Sequence, residues 1–237
     1  MLDIEGTTTP IDFVYQVLFP YARGHVKDFL ASNLSDEDVR ADIAALYEEH
    51  SADLSRGLSP PALRESSGQP QLESIEAYVH WLMGQDRKST ALKSLQGRIW
   101  KEGYHKGELS GQIFPDVPRA FERWRKQNRD ICIYSSGSRL AQELLFAHTE
   151  CGDLTGFIRD YFDTNVGAKV DSQSYHRIAS ALKLKPPDIV FISDVTAELN
   201  AARSAGMQTL LSVRPGNPPQ PGREAHPLVR TFDEVLA

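Results

Sequence analysis

From about residue 113 the chain alternates short apolar runs with amphipathic stretches, and this rhythm narrows its fold more than any other feature. Ile131-Cys132-Ile133-Tyr134 and Ile189-Val190-Phe191-Ile192 are apolar throughout, and Thr209 to Val213 reads as a further strand. A strand that is apolar at every position has both faces covered, the condition of a parallel sheet between two helix layers. Ala120, Phe121 and Trp124, then Leu140, Leu144 and Leu145, then Tyr175, Ile178, Ala179 and Leu182, then Ala201, Ala202 and Ala205 recur at helical spacing and supply those layers. Ligands in such sheets bind at the carboxyl ends of the strands. Both apolar runs end in polar chemistry: Tyr134 leads into Ser135-Ser136-Gly137-Ser138, and Ile192 into Ser193-Asp194.

Residues 12 to 108 have a different rhythm, helix after helix, which predicts a helical insert in an α/β core made of residues 1–11 and 109–237. Ser35 and Asp38 form an S-x-x-D helix start ahead of Val39, Ile43, Leu46 and Tyr47. Ser55 to Gln71, with Gly57, Pro60, Pro61, Gly68 and Pro70, reads as a loop. Ile75, Tyr78, Val79 and Leu82 make a second apolar stripe, and Leu92, Leu95, Ile99 and Trp100 a third.

Charge disfavours several partners. Lys and Arg number 26 against 32 Asp and Glu, a net charge of −6, and no segment concentrates basic residues, so nucleic acid and anionic membrane are not expected. No run of about 18 apolar residues is present. The two cysteines, Cys132 and Cys151, do not make a disulfide framework and point to a reducing cytoplasm. The seven histidines are scattered without metal-binding spacing.

Asp3-Ile4-Glu5-Gly6-Thr7-Thr8 carries the chemistry. Extended backbone places Asp3 and Glu5 on one side, and Gly6 permits the turn that follows. A carboxylate that attacks phosphorus needs a cation beside it, and a hard, oxygen-loving ion such as Mg²⁺ meets that need. Ser135, with the amides of Ser136 and Gly137 at a helix start, suits a phosphate. Lys169, in the loop Gly167-Ala168-Lys169, is a point charge for the same anion, and Asp194, with Glu198 behind it, suits the far side of the cation. Each group alone has a plainer reading: an acidic tail, a helix cap and turn, a solvated lysine, an N-cap. Their order at successive strand ends is what favours chemistry.

That order resembles the haloacid dehalogenase superfamily over nearly the whole chain. DIEGTTTPIDFV, LFPYAR, DRKSTALKSLQGRIW, IYSSGS, FDTNVGAKV, ISDVTAEL and VRPGN narrow the resemblance to the enolase-phosphatases of methionine salvage, which have Glu where most superfamily phosphatases have Asp two residues after the nucleophile. The resemblance implies a Rossmann-like parallel sheet with an α-helical cap inserted after the first strand. It implies Asp3 as nucleophile and Mg²⁺ ligand. Glu5 contributes to the metal site, with its backbone carbonyl as one route, and places its side chain for proton transfer. Ser135 and Ser136 bind substrate, Lys169 binds phosphate and is catalytic, and Asp194 completes the site for one Mg²⁺. The implied substrate is 2,3-diketo-5-methylthiopentyl-1-phosphate, turned over by a cytoplasmic monomer. Another small-molecule phosphatase of the superfamily is the alternative; a signalling receiver domain lacks the helical insert.

One departure stands out. The first strand of this architecture is central and buried, yet only Met1 and Leu2 precede Asp3 where about five apolar residues are expected. The sequence therefore predicts a start assigned too late, almost no strand ahead of Asp3, thinned pairing at the sheet centre and a poorly anchored nucleophile.

Overall fold

The structure, a computed structural model, describes residues 1–66, 69–85, 87 and 89–236, and only the backbone of Ser66 and Gln69. Gly68 of the expected loop, and Asp86 and Lys88 of the quoted motifs, lie outside the described residues. The chain divides into two compact units, residues 1–16 with 107–237, and residues 17–106.

A short helix α1 (Ile11–Phe13) runs into a π-helical turn, Val14–Leu18. The second unit then contains α2 (Phe19–Asn33), α3 (Glu37–Ser55), the short strands β1 (Glu65–Ser66) and β2 (Gln69–Pro70), α4 (Leu72–Gly84) and α5 (Thr90–His105). The apolar stripes read from the sequence are its core: Val39, Ile43, Leu46, Ile75, Tyr78, Val79, Leu82, Leu92, Leu95 and Ile99 are all buried. Two local expectations change. Asp36, not Ser35, caps α3, its carboxylate accepting from the amides of Asp38 and Val39. The expected loop holds the two short strands β1 and β2, paired antiparallel.

The other unit adds α6 (Asp116–Lys126), β3 (Ile131–Tyr134), α7 (Arg139–Ala147), β4 (Ile158–Phe162), α8 (Ser172–Leu182), β5 (Val190–Ser193), α9 (Thr196–Ser204), β6 (Gln208–Ser212) and β7 (Leu228–Val229). β3 pairs with β4, β5 with β6 and β6 with β7, all parallel. Residues 1–3 join the two halves: Leu2 bridges both Ile133 and Ile192 in parallel. The order is thus β4, β3, the chain start, β5, β6, β7, as the continuous apolar runs require. Tyr134, Tyr175, Ile178, Phe191, Leu199 and Ala202 form the core between β3, β5 and the helices. Strand β4 was not foreseen, because Arg159 and Asp160 interrupt its apolar run. Among the described residues no helix is long and apolar enough to cross a membrane.

The sheet centre is thin, as the sequence predicts, but the nucleophile is not loose. The amides of Leu2 and Asp3 donate to Cys132 O and Ile192 O, both at 2.9 Å, and Tyr134 donates back to Leu2 O at 2.9 Å. The expectation of a poorly anchored Asp3 is therefore wrong: one residue of ladder on each side suffices, because Lys169 holds the Asp3 carboxylate as well. Below Met1 the sheet opens into a cavity of about 260 Å³, lined among others by Ile131, Cys132, Leu182, Ile189 and Val190. The Met1 ammonium is buried at its end, donating to Val190 O at 2.8 Å, and burial lowers its pKa.

Five apolar residues added before Met1 should thread this cavity as a central strand. Three or four large aliphatic side chains contribute roughly 5–10 kcal/mol when buried, and ordering the added residues cancels much of it. The added ladder bonds and the removal of a buried charge leave a net gain. We expect the extended chain to melt higher by about 4 °C or more, equivalent to about 2 kcal/mol in a chain of this size. Equal melting temperatures contradict this.

Candidate active site

Asp3 ends the central ladder and the chain turns at once. The amides of Thr7, Thr8 and Thr9 all converge on the Ile4 carbonyl at 2.9–3.2 Å, and Gly6 donates to Thr9 O at 2.8 Å. The turn needs φ +64° at Gly6, where a Cβ would stand 2.5 Å from Asp194 Oδ2 and 2.7 Å from Asn217 Oδ1. Glycine is required on both counts. The loop is held from β6 outward: Ser212 Oγ and Asn217 Nδ2 donate to Gly6 O at 3.0 and 2.9 Å, and Arg214 Nε donates to Thr7 O at 3.2 Å. Arg214 is itself fixed by two bonds to Asp116, 3.0 and 2.8 Å long, and lies between the Phe114 and Phe232 rings.

Lys169 reaches the same point from the β4–α8 loop. Its Nζ is 2.6 Å from Asp3 Oδ1 and 2.7 Å from Glu198 Oε2, with side chains 9%, 6% and 12% exposed respectively. Three side-chain donors pin successive carbonyls of this loop: Tyr134 OH to Gly167 at 3.0 Å, Ser174 Oγ to Ala168 at 2.8 Å and Tyr175 OH to Lys169 at 2.6 Å. Gly167, at φ +132°, leaves room for Ser174. Burial lowers the Lys169 pKa, but the charges of Asp3 and Glu198 outweigh that, so the ammonium titrates above an ordinary lysine.

Asp194 follows β5 and is buried beside Gly6. Burial first, then the charges of Asp3 and Glu198, push its carboxyl up to about 7, against the pull of Lys169. Glu198 is likewise raised by burial and Asp3, opposed by Lys169 and by the Ser193 hydroxyl, which donates to its Oε2 at 2.9 Å. The structure corrects the sequence here: Glu198 stands on Lys169, joined to Asp3 through one ammonium, and not behind Asp194.

Ser135 is buried one residue past Tyr134, at the same strand end as Asp3; Ser136 is exposed. The Gly137 amide donates to Ser135 Oγ at 3.2 Å, so it is engaged within the loop and is not the open phosphate donor the sequence suggested. Ser138, the last residue of that stretch, caps α7. Glu5 is half-buried, its backbone bridged to Thr9. Among the described residues no three His, Cys, Asp or Glu side chains gather closely enough to hold a metal by themselves. Asp3 and Asp194 bring carboxylates to the site, and Glu5 meets the loop through its backbone. Sequence reasoning assigned no individual role to Ser212, Arg214 and Asn217; their signals were the Pro- and Gly-rich loop opening directly after a strand and, for Arg214 and Asn217, the VRPGN motif.

The profile of the haloacid dehalogenase-like hydrolases matches residues 1–206. Enolase-phosphatase E1 of Synechococcus elongatus is 49% identical over 92% of this chain and 89% of its own length. That of Prochlorococcus marinus is 42% identical over 96% and 94%. A Sorghum bicolor protein described as a probable bifunctional methylthioribulose-1-phosphate dehydratase/enolase-phosphatase E1 is 42% identical over 99% of this chain and 46% of its own. The crystal structure of the UTR4 protein of Saccharomyces cerevisiae superposes with a TM-score of 0.79 at 32% identity, covering 99% of this chain and 97% of that one. The chain belongs to the haloacid dehalogenase-like hydrolases and, among them, to the enolase-phosphatase E1 family.

Proposed function

We propose that this protein is a Mg²⁺-dependent enolase-phosphatase of methionine salvage. It converts 2,3-diketo-5-methylthiopentyl-1-phosphate into the acireductone 1,2-dihydroxy-3-keto-5-methylthiopentene and phosphate. The observation that carries the reading is Asp3, buried at a strand end, with Lys169 at 2.6 Å and Asp194 across Gly6. The donor set suits a hard cation. Asp3 and Asp194 supply carboxylates and Glu5 a backbone carbonyl, while among the described residues Lys169 is the cation set against the buried Asp3 and Asp194 and the largely buried Glu198. Bound Mg²⁺ supplies positive charge for the phosphate and for a substrate oxygen as enolate character develops.

The residues divide the rest. Enolisation leaves the atom count unchanged: the CH₂ between carbonyl and phosphate gives up a proton, its C–H electron pair forms the C=C bond, and the adjacent carbonyl oxygen takes up a proton to become the enol hydroxyl. Asp3 then attacks phosphorus: a carboxylate oxygen–phosphorus bond forms as the bond from phosphorus to the substrate oxygen breaks, and the Glu5 side chain delivers the proton to the departing oxygen. Water then attacks phosphorus and passes a proton to the Glu5 carboxylate as the bond from phosphorus to Asp3 breaks, which releases phosphate and regenerates both Asp3 and Glu5. Lys169 neutralises nucleophile and phosphate throughout, and Ser135 and Ser136 bind substrate. Selection of the substrate falls to the helical unit, residues 17–106, acting as a cap. The working form is a cytoplasmic monomer with both cysteines free.

The test is phosphate release from the diketo phosphate, with ultraviolet detection of the enol, beside a panel of other phosphate monoesters. We expect both signals with this substrate and weak release from the panel. Phosphate without the enol signal, or equal rates across the panel, favours a different phosphatase. EDTA should abolish turnover and Mg²⁺ restore it; full activity in metal-free buffer contradicts the cation's role.

A further inference from the structure

The Asn217 side chain is held in an unusual way. Its Nδ2 donates to two carbonyls, Gly6 O at 2.9 Å and Ser212 O at 3.3 Å. These bonds fix which end of the amide is which, since the flipped amide would set oxygen against two oxygens. Oδ1 is then buried and, among the described residues, has no hydrogen-bond partner. It and Asp194 Oδ2 both lie within 2.7 Å of the point where a Gly6 Cβ would stand. A buried acceptor left unpaired costs about 1–3 kcal/mol. Among the described residues Asn217 Oδ1 thus lacks a donor while it faces the same point as Asp194 Oδ2, and an electropositive group shared by the two oxygens would satisfy it.

We propose that Asn217 is a positioning residue of the cation site. Its Nδ2 clamps the Gly6 carbonyl, and its Oδ1 belongs to the oxygen set that holds the hydrated cation next to Asp194. The inference rests on the reading of Asp3 and Asp194 as cation ligands. Ser212 shares the clamp, since its hydroxyl also donates to Gly6 O, but it brings no oxygen to Asp194. The two residues thus separate holding the loop from facing the cation.

The experiment is Mg²⁺ binding by calorimetry, without substrate, to the full chain and to Asn217→Ala, Asn217→Asp and Ser212→Ala, with melting temperatures in EDTA as the check on folding. The parent chain should bind Mg²⁺. Asn217→Ala should weaken binding by about tenfold to a hundredfold, the range for groups that orient a metal's inner ligands. Ser212→Ala should weaken it far less, and Asn217→Asp, which keeps an oxygen at that place, should bind within the parent's range or more tightly. Equal weakening in Asn217→Ala and Ser212→Ala would reduce Asn217 to a loop clamp and overturn the proposal. So would parent-like binding in Asn217→Ala. If Asn217→Ala does not fold, Asn217→Asp decides alone: a large loss of Mg²⁺ affinity overturns it and retention supports it. Failure of the parent chain to bind Mg²⁺ would overturn instead the reading on which it rests.

Discussion

Asp3→Asn should lower turnover by roughly 10⁴-fold or more, about 5 kcal/mol of barrier, while the protein stays folded. The size follows from what is removed. An amide has nearly the shape of the carboxylate, so the backbone bond from Asp3 N to Ile192 O survives, and Lys169 keeps its second partner, Glu198. What is lost is the oxygen that bonds to phosphorus. Turnover and melting temperature should therefore separate: kcat collapses while the thermal transition moves little. A variant that retains a tenth or more of the parent turnover with the diketo phosphate contradicts Asp3 as nucleophile.

Lys169→Ala should lower both quantities together. Its ammonium lies between the buried Asp3 carboxylate, at 2.6 Å, and the largely buried Glu198 carboxylate, at 2.7 Å. Removing one partner of a buried ion pair typically costs about 3–5 kcal/mol, because the remaining charges have no counterion. In a chain of this size that lowers the melting temperature by roughly 6 °C or more. Activity should fall as well, since in the proposed reaction the same cation serves the bound phosphate and the transition state. Adding Glu198→Gln should recover part of the stability and none of the activity. Lys183→Ala is the control: that residue closes α8 in the left-handed conformation and is exposed. Comparable damage from Lys183→Ala would place the phosphate-binding lysine wrongly.

The parts of the fold legible in the sequence were those where burial writes its own pattern. Ile131–Tyr134 is fully buried and reads as a strand at once, and the apolar stripes of α3, α4 and α5 are the core of the helical unit. β4 was hidden because its burial is uneven: Ile158 and Tyr161 face inward while Arg159 points to Asp130 and Leu182 O. The site divides in the same way. Asp3, Lys169 and Asp194 could be named because each ends a recognisable run or loop. The partner of Glu198 could not be, since nothing in its spacing from Asp194 says that the side chain turns to Lys169. The roles of Ser212, Arg214 and Asn217 were hidden for a related reason, although VRPGN holds the last two: they act on the backbone carbonyls of Gly6 and Thr7, more than two hundred residues away, and a carbonyl leaves no mark in a sequence. The firm seating of Asp3 came from long-range contacts too, which outweighed the short stretch of strand before it.

The most direct test is to locate the covalent phosphoryl group. A single turnover of the diketo phosphate, quenched with borohydride, reduces an aspartyl phosphate to homoserine, and peptide mass spectrometry then finds the altered residue. The account predicts homoserine at position 3, absent without Mg²⁺ and absent in Asp3→Asn. Homoserine at another aspartate, or none while phosphate is released at the full rate, would contradict it.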